Sequence, residues 1–465
     1  MLFTTAKFLG FFVVAFSVYW LIGRHRGRLL WLTAASAVFY MAWKWQFIFL
    51  ILASTSVDYF VALRLNRVQS DSARRWLVAL SVSVNLGILA YFKYAAFLLE
   101  SATEVTHWLG WSVPIPEVKA FLPLGISFYT FEAISYVVDV YRGKTQPVRN
   151  PLDYALYILF FPHLVAGPIV RANDFLPQVY RPKRFDWPRV QAGAHRFLIG
   201  LFKKIVIADQ VALAVDPVFA EPGKFSSTAL WLAVLGYAVQ IYCDFSGYTD
   251  MALGLANTLG FKLPENFNAP YLASSPADFW RRWHISLSRW LRDYLYIPLG
   301  GNRLGPARTL VNLFITMLLG GLWHGASWTF VVWGAYHGLL LIVQRLIPQS
   351  WDHPALRPVG MLITFVAVCV GWVFFRAQTF ADAETILSGM FVPRSGYGLA
   401  GDGGLLVMTC LAATLIGQAL GQIHGSGRMI FRLPVPVAGA LMAAILTLAL
   451  LLTPGEGKVF IYFQF

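Results

Sequence analysis

The chain has 465 residues, of which 57% are hydrophobic and only 13% are charged, and its formal net charge is +14. This composition excludes a soluble enzyme with a single anchor and predicts a polytopic membrane protein, because each helical crossing needs about 20 mostly apolar residues.

Apolar runs recur along the whole chain, and we predict about 11 to 13 helical crossings from them. The runs fall near residues 8–22, 29–43, 46–63, 76–98, 120–140, 193–215, 228–258, 309–322, 328–344, 359–375, 403–420 and 435–453. The run 152–170 contains Pro162, Gly167 and Pro168 and is expected to dip into the membrane and return, which requires protein around its backbone. The predicted fold class is all-α, with residues 1–465 forming one membrane domain.

The positive charge follows a membrane pattern, because the basic residues are concentrated in alternate loops. The basic groups are Arg24–Arg28, Arg64–Arg75, Arg142–Arg149, Arg171–Arg189 and Arg281–Arg308, whereas the stretches Glu100–Glu117 and Asp216–Lys224 are not basic. This alternation argues against a nucleic-acid partner. It predicts that both termini lie outside the cytoplasm and that the amphipathic segment 262–308 lies on the cytoplasmic side.

The segment that follows Ser274 is predicted to form a helix on that side. Ser275 suits the N-cap, Pro276 suits the first helical position, and Asp278 is placed to reach back as in a capping box. Apolar residues then recur at spacings of three and four, which predicts a continuous helix to Tyr294. His284 falls on its apolar face, which is formed by Trp280, Trp283, Leu287, Leu291 and Tyr294.

A second histidine, His324, lies in the run Thr309–Gln344, which contains no Asp, Glu, Lys or Arg. An ionisable side chain at membrane depth costs about 3 kcal/mol and usually faces a partner or a functional cavity. A buried imidazole bonded to a backbone carbonyl is the structural alternative. The flanking glycines and the lack of a nearby carboxylate favour a functional role. An imidazole with an ordinary pKa near 6.5 can take a proton from a hydroxyl or thiol, as acyl transfer requires.

Other candidates carry weaker signals. We interpret His337 as structural and the isolated cysteines as small core residues. For His163 two roles stay open, a structural one and one in lining the run 152–170. The arginines beside His284 could bind a phosphate-bearing donor or could simply follow the topology. The chain contains no Gly-x-Ser-x-Gly elbow, no Walker loop and no His-Glu-x-x-His metal site.

Six motifs in order resemble the membrane-bound O-acyltransferases, and within them the bacterial branch that acts on exported polysaccharides such as alginate. They are Leu122–Tyr129, Phe161–Pro168, Asp244–Asp250, Trp280–Tyr294, Gly320–Trp328 and Phe460–Phe463. The resemblance implies a ring of tilted helices around a thinned centre with a tunnel. It also implies that His324 is the essential membrane histidine. His284 matches a second histidine, where other branches place Asn or Asp.

The resemblance further implies an acetyltransferase of the inner membrane with acetyl-CoA as donor and with no bound cofactor or metal. His324 would be the general base or relay, and His284 would orient the thioester or assist proton transfer. The donor would pass Trp280, Trp283, Trp323, Ser327, Arg281 and Arg282. Implied partners are membrane lipid, a periplasmic acetyltransferase of the SGNH type or a polysaccharide-binding protein, and a polysaccharide synthase or secretion complex.

The sequence leaves several alternatives open. The acceptor could be alginate, cellulose, another exopolysaccharide or peptidoglycan, and a sister branch transfers D-alanine to teichoic acid. A transporter of lipid-linked sugars would carry ionisable residues on several spans and often a repeated half. A passive scaffold for the periplasmic partner would need neither histidine.

Overall fold

The computed structural model describes residues 1–111, 121–165, 167–347, 354–424, 435–452 and 461. In this part of the chain the regular structure is helical, and the one extended pairing is an isolated bridge between Phe225 and Tyr397. The predicted all-α fold is confirmed. The terminal motif Phe460–Phe463 lies outside the described residues except for Ile461.

The α-helices are numbered in chain order. They are α1 Ala6–Leu21, α2 His25–Met41, α3 Phe47–Leu65, α4 Asp71–Leu89, α5 Ala95–Trp108, α6 Ile126–Tyr141, α7 Pro151–Leu159, α8 Phe161–Leu164, α9 Ala172–Val179, α10 Trp187–Leu201, α11 Asp209–Ala220, α12 Ser227–Thr258, α13 Pro276–Arg282, α14 Ile285–Leu291, α15 Pro306–His324, α16 Trp328–Leu346, α17 Arg357–Arg376, α18 Phe380–Phe391, α19 Gly403–His424 and α20 Val435–Leu452. Wider π-helical turns occupy Ala90–Tyr94, Phe202–Ala208 and Arg292–Tyr296.

Six stretches of helix in the described part are long and apolar enough to cross a membrane. They are Phe47–Leu65, Asp71–Trp108, Ser227–Thr258, Trp328–Leu346, Arg357–Arg376 and Gly403–Gln422, and the helices at Ala6–Leu21 and Gly439–Ala449 are apolar but shorter. The chain is a membrane protein. The predicted count of about 11 to 13 crossings also includes short or interrupted apolar runs.

The chain forms two compact units. The first comprises Met1–Gly193 and Leu255–Pro264, and the second comprises Ala194–Gly254 and Glu265–Phe465.

In the first unit, buried polar side chains join helices, as they do in membrane proteins generally. The carboxylate of Asp58 on α3 accepts hydrogen bonds from Ser81 and Asn85 on α4, the latter at 2.9 Å. His163 on α8 is also buried, with Nε2 at 3.4 Å from Glu132 Oε2. The run 152–170 contains the short helices α7 and α8, separated at Phe160, so His163 lies in a broken, covered segment.

In the second unit, α15 and α16 form a tight antiparallel pair because glycines face each other. A Cβ on Gly321 would lie 2.3 Å from the backbone oxygen of Phe330, and one on Gly334 would lie 2.5 Å from that of Met317. Gly321, one of the glycines near His324 that are predicted to permit close approach, therefore allows α16 to pack closely against α15. This packing sets the end of α15, with His324, against the start of α16.

Candidate active site

The segment that carries His284 is two helices, and the prediction of one continuous helix to Tyr294 is wrong. α13 ends at Arg282 and α14 begins at Ile285. Between them Trp283 is extended and His284 is left-handed, with φ 41° and ψ 55°. The aromatic spacing concealed the break because the side chains on both sides of it are buried, and neither Gly nor Pro marks the position.

The start of α13 agrees with its predicted cap. The Ser275 side chain accepts a hydrogen bond from the Asp278 N–H at 3.2 Å, and Pro276 occupies the first turn. Asp278 reaches back to the N–H of Ser274, at 3.4 Å, rather than to that of Ser275. The same carboxylate accepts from Arg282 Nε at 2.9 Å.

The break turns the imidazole of His284 into the protein, where it is fully buried. Its ring centroid lies 4.7 Å from that of Phe245 on α12, 5.9 Å from that of Trp323 and 6.3 Å from that of His324. Burial away from water lowers the pKa of His284 to about 3, because desolvation penalises the charged ring. His284 is therefore a neutral imidazole at physiological pH.

His324 is the last residue of α15 and is 4% exposed. Its ring is enclosed by aromatic side chains, with centroid distances of 5.0 Å to Trp323, 5.0 Å to Trp333 and 5.4 Å to Phe375. Gly325 then continues in an extended conformation to Ser327, which caps α16 by accepting from the Thr329 N–H at 3.3 Å. The structure thus brings His284 and His324 together.

His337 belongs to the same aromatic cluster. Its buried ring lies 4.7 Å from Trp333, 5.2 Å from Trp280 and 6.2 Å from Phe279, measured between centroids. Trp333 therefore stands between His337 and His324. The interpretation of His337 as structural stays a prediction.

The predicted donor-contacting residues divide into buried and exposed groups. Trp280, Trp283 and Trp323 are buried in the cluster, and Ser327 is half-buried. The Arg282 guanidinium is held by Asp278 and by the Asn268 carbonyl oxygen, at 3.3 Å. Arg281 is 72% exposed and is 3.7 Å from Asp278. Arg281 is thus the more accessible of the two arginines.

Sequence reasoning missed four residues that shape this site. The rings of Phe245, Trp333 and Phe375 contact the two histidines, and Asn266 Oδ1 accepts a hydrogen bond from the Ser286 N–H at 3.1 Å, just after His284. Phe245 lies within the Asp244–Asp250 motif, which was a usable signal. The other three come from segments whose proximity arises only on folding. Among the described residues, no group of three or more His, Cys, Asp and Glu side chains converges as a metal site would require.

Comparison with known proteins identifies the family of the chain. The family model described as MBOAT, membrane-bound O-acyltransferase family, matches residues 148–383, which include both histidines. The chain is 44% identical to the probable alginate O-acetylase AlgI of Pseudomonas aeruginosa over 84% of this chain and 75% of the relative. It is 37% identical to the peptidoglycan O-acetyltransferase of Helicobacter pylori, over 84% and 80% respectively. It is 30% identical to the teichoic acid D-alanyltransferase of Bacillus subtilis, over 55% and 69%.

Proposed function

The chain belongs to the membrane-bound O-acyltransferase family and is an O-acyltransferase, and we propose that it moves an acetyl group from cytoplasmic acetyl-CoA across the inner membrane for O-acetylation of an exported polysaccharide. The similarity to probable alginate O-acetylases supports an acetyl group as the cargo and alginate as the acceptor. Our proposal extends to related exported polymers such as cellulose. The observation that carries the proposal is the meeting of His284 and His324 in one aromatic cluster.

In this proposal His324 is the general base. It takes the proton from the acceptor hydroxyl while the hydroxyl oxygen attacks the thioester carbonyl carbon, so that a C–O bond forms and the C–S bond breaks. The departing thiolate receives the proton from the imidazolium, which leaves CoA thiol, an acetyl ester and a neutral His324. The aromatic enclosure strengthens these electrostatic steps by excluding water.

His284 has a complementary role, because its imidazole stays neutral. It orients the thioester by a hydrogen bond or assists the proton transfer, and it does so without adding a charge that would compete with the imidazolium of His324. The donor approaches along Trp280, Trp283, Trp323 and Ser327. Arg281, with its exposed guanidinium, is suited to the phosphates of CoA, whereas Arg282 is already held by Asp278.

The basic loops support an orientation in which the segment 262–308 faces the cytoplasm and both termini face the periplasm of a bacterial inner membrane. The acceptor is then reached from the opposite side. A periplasmic acetyltransferase of the SGNH type, or a polysaccharide-binding partner associated with a synthase or secretion complex, completes the transfer onto the polymer.

Peptidoglycan is the second candidate acceptor. The relative from Helicobacter pylori is named a peptidoglycan O-acetyltransferase and matches over 84% of this chain, as much as the alginate relatives do. The donor chemistry is the same for both acceptors. D-alanyl transfer has less support, because the Bacillus subtilis relative matches over only 55% of the chain.

The test is acyl transfer by the purified chain in proteoliposomes supplied with acetyl-CoA labelled in the acetyl group. We expect release of CoA thiol and appearance of label on an acceptor. Alginate, cellulose and peptidoglycan fragments are offered separately, with the SGNH partner present or absent. Intact donor under every condition would contradict the proposal and favour a scaffold. Movement of a lipid-linked sugar without donor cleavage would favour a transporter.

A further inference from the structure

The left-handed backbone at His284 is held in place by Asn266, a fully buried residue of the loop that precedes α13. The Asn266 side-chain oxygen Oδ1 accepts hydrogen bonds from the Ser286 N–H at 3.1 Å and from the Ser286 hydroxyl at 2.8 Å. Its backbone oxygen accepts from the Ile285 N–H at 3.0 Å. On the other side of the break, the Asn268 N–H donates to the Arg282 oxygen at 2.9 Å.

These bonds give Asn266 the function of a helix cap. The first N–H groups of a helix have no partner within it and are usually satisfied by the N-cap side chain. His284 occupies the N-cap position of α14, but its side chain makes no capping bond. Asn266 satisfies the N–H groups of Ile285 and Ser286 from a separate segment. The imidazole of His284 can therefore point into the aromatic cluster.

The residues on either side of Asn266 are themselves anchored. Glu265 receives two hydrogen bonds from the guanidinium of Arg196, one of them at 2.7 Å, and Arg196 also donates to Asp250 at 3.0 Å. Phe267 packs against Trp283, with 5.1 Å between ring centroids. A left-handed residue with a Cβ persists only where its surroundings fix it, and these contacts supply that constraint.

We propose that Asn266 is a positioning residue for acyl transfer, which caps α14 in place of His284 and so holds the His284 imidazole beside His324. This inference rests on the proposed function, because that function gives His284 its role.

The capping requires an acceptor at Oδ1 and nothing from the amide nitrogen. Asn266 Nδ2 is buried and has no hydrogen-bond partner among the described residues. Asn266→Asp keeps the acceptor, and Asn266→Leu removes it at nearly constant volume. Asn268→Leu is the matched control, because the Asn268 side-chain oxygen bonds to Gln422 and not to the break.

The first readout does not depend on activity. Diethyl pyrocarbonate modifies accessible histidines, and mass spectrometry reports the rate at each site. We expect His284 to be protected in the wild type, in Asn266→Asp and in Asn268→Leu. In Asn266→Leu it should react about 10- to 100-fold faster, because local opening of the break then disrupts no side-chain hydrogen bonds and costs less free energy. His337, equally buried, should stay protected. Unchanged protection of His284 in Asn266→Leu would overturn the inference.

The second readout separates positioning from general destabilisation. Asn266→Leu should lower kcat per folded molecule with little change in the donor KM. The variant carrying both Asn266→Leu and His284→Ala should be no slower than His284→Ala alone, because the two residues act through one group. If Asn266→Leu does not accumulate, Ser286→Ala replaces it, because this variant removes one hydrogen bond to Asn266 Oδ1. The expected results are again faster modification of His284 and a lower kcat.

The outcomes also distinguish this inference from the proposed function. Normal kcat in Asn266→Leu together with an impaired His284→Ala would overturn the role of Asn266 and leave the proposed function intact. Absence of donor cleavage by the wild type would contradict the proposed function, while the protection of His284 would still report whether Asn266 holds the break.

Discussion

The imidazole rings of His284 and His324 lie 6.3 Å apart, centroid to centroid, although one ring follows a helix break and the other ends a long helix. Trp323 bridges them, with its centroid 5.9 Å from His284 and 5.0 Å from His324. In the proposed function, one of these two buried imidazoles is the base and the other is a neutral polar group.

The first prediction concerns acid stability. The pKa of His284 is about 3 in the folded protein, and the ordinary value is 6.5. Below pH 6.5 the unfolded state therefore binds a proton at His284 that the folded state does not bind. The free energy of unfolding then decreases as the pH falls towards 3. Between pH 6.5 and 5 this loss is about 2 kcal/mol. His284→Asn should flatten the fall of Tm between pH 7 and 5 in detergent. The same fall in both proteins would contradict the burial of a neutral ring.

The second prediction concerns the glycine contact between α15 and α16. Gly321→Ala places a methyl group 2.3 Å from the Phe330 backbone oxygen, a clash that only backbone movement can relieve. We expect a loss of stability of about 1–3 kcal/mol and lower abundance in the membrane. Gly87→Ala on α4 is the control, since its Cβ meets nothing within 4 Å. Similar Tm values for the two variants in detergent would show that the helix pair is not closely packed.

The third prediction concerns a buried charge cluster of the second unit. Lys204 Nζ lies 2.8 Å from Asp209 Oδ1 and 2.6 Å from Asp244 Oδ1, and all three side chains are buried. Lys204→Ala leaves two carboxylates without their cation, and we expect a cost of about 3–5 kcal/mol.

Membrane abundance and Tm in detergent measure this cost. Lys224→Ala, which removes an exposed pair with Glu221, should leave both unchanged. Normal stability of Lys204→Ala would show that the two carboxylates do not need the ammonium group.

The fourth prediction separates the neighbouring arginines. If the proposed donor path is right, Arg281→Gln should raise the KM for acetyl-CoA about 3- to 10-fold with kcat unchanged, because the proposed phosphate contact is made equally in ground and transition states. Arg282→Gln should instead lower abundance, because its guanidinium joins Asp278 to the Asn268 carbonyl. Steady-state kinetics normalised to folded protein measure the KM of Arg281→Gln, and the amount of folded protein in the membrane measures the effect of Arg282→Gln. An unchanged KM in Arg281→Gln would remove Arg281 from the donor path.

Much of the fold and part of the site could be predicted from the sequence. The apolar composition of the whole chain predicts the all-α membrane class. Ser275 with Pro276 predicts the start of α13, because a helix cap is a local signal. The helix break at His284 could not be predicted, since its cause is a set of hydrogen bonds to Asn266, in a different segment. Trp333 and Phe375 were missed for the same reason. Their contacts with His324 depend on how α15, α16 and α17 pack.

The central claim is that His324 is the base for acyl transfer, and the most direct measurement is acetyl transfer from labelled acetyl-CoA by His324→Ala in proteoliposomes. The rate is normalised to folded protein, with His25→Ala as a control histidine that bonds to the Val179 carbonyl at 2.9 Å. We predict that His324→Ala is at least about 100-fold slower than the wild type and that His25→Ala is not. Wild-type turnover by His324→Ala would contradict the account.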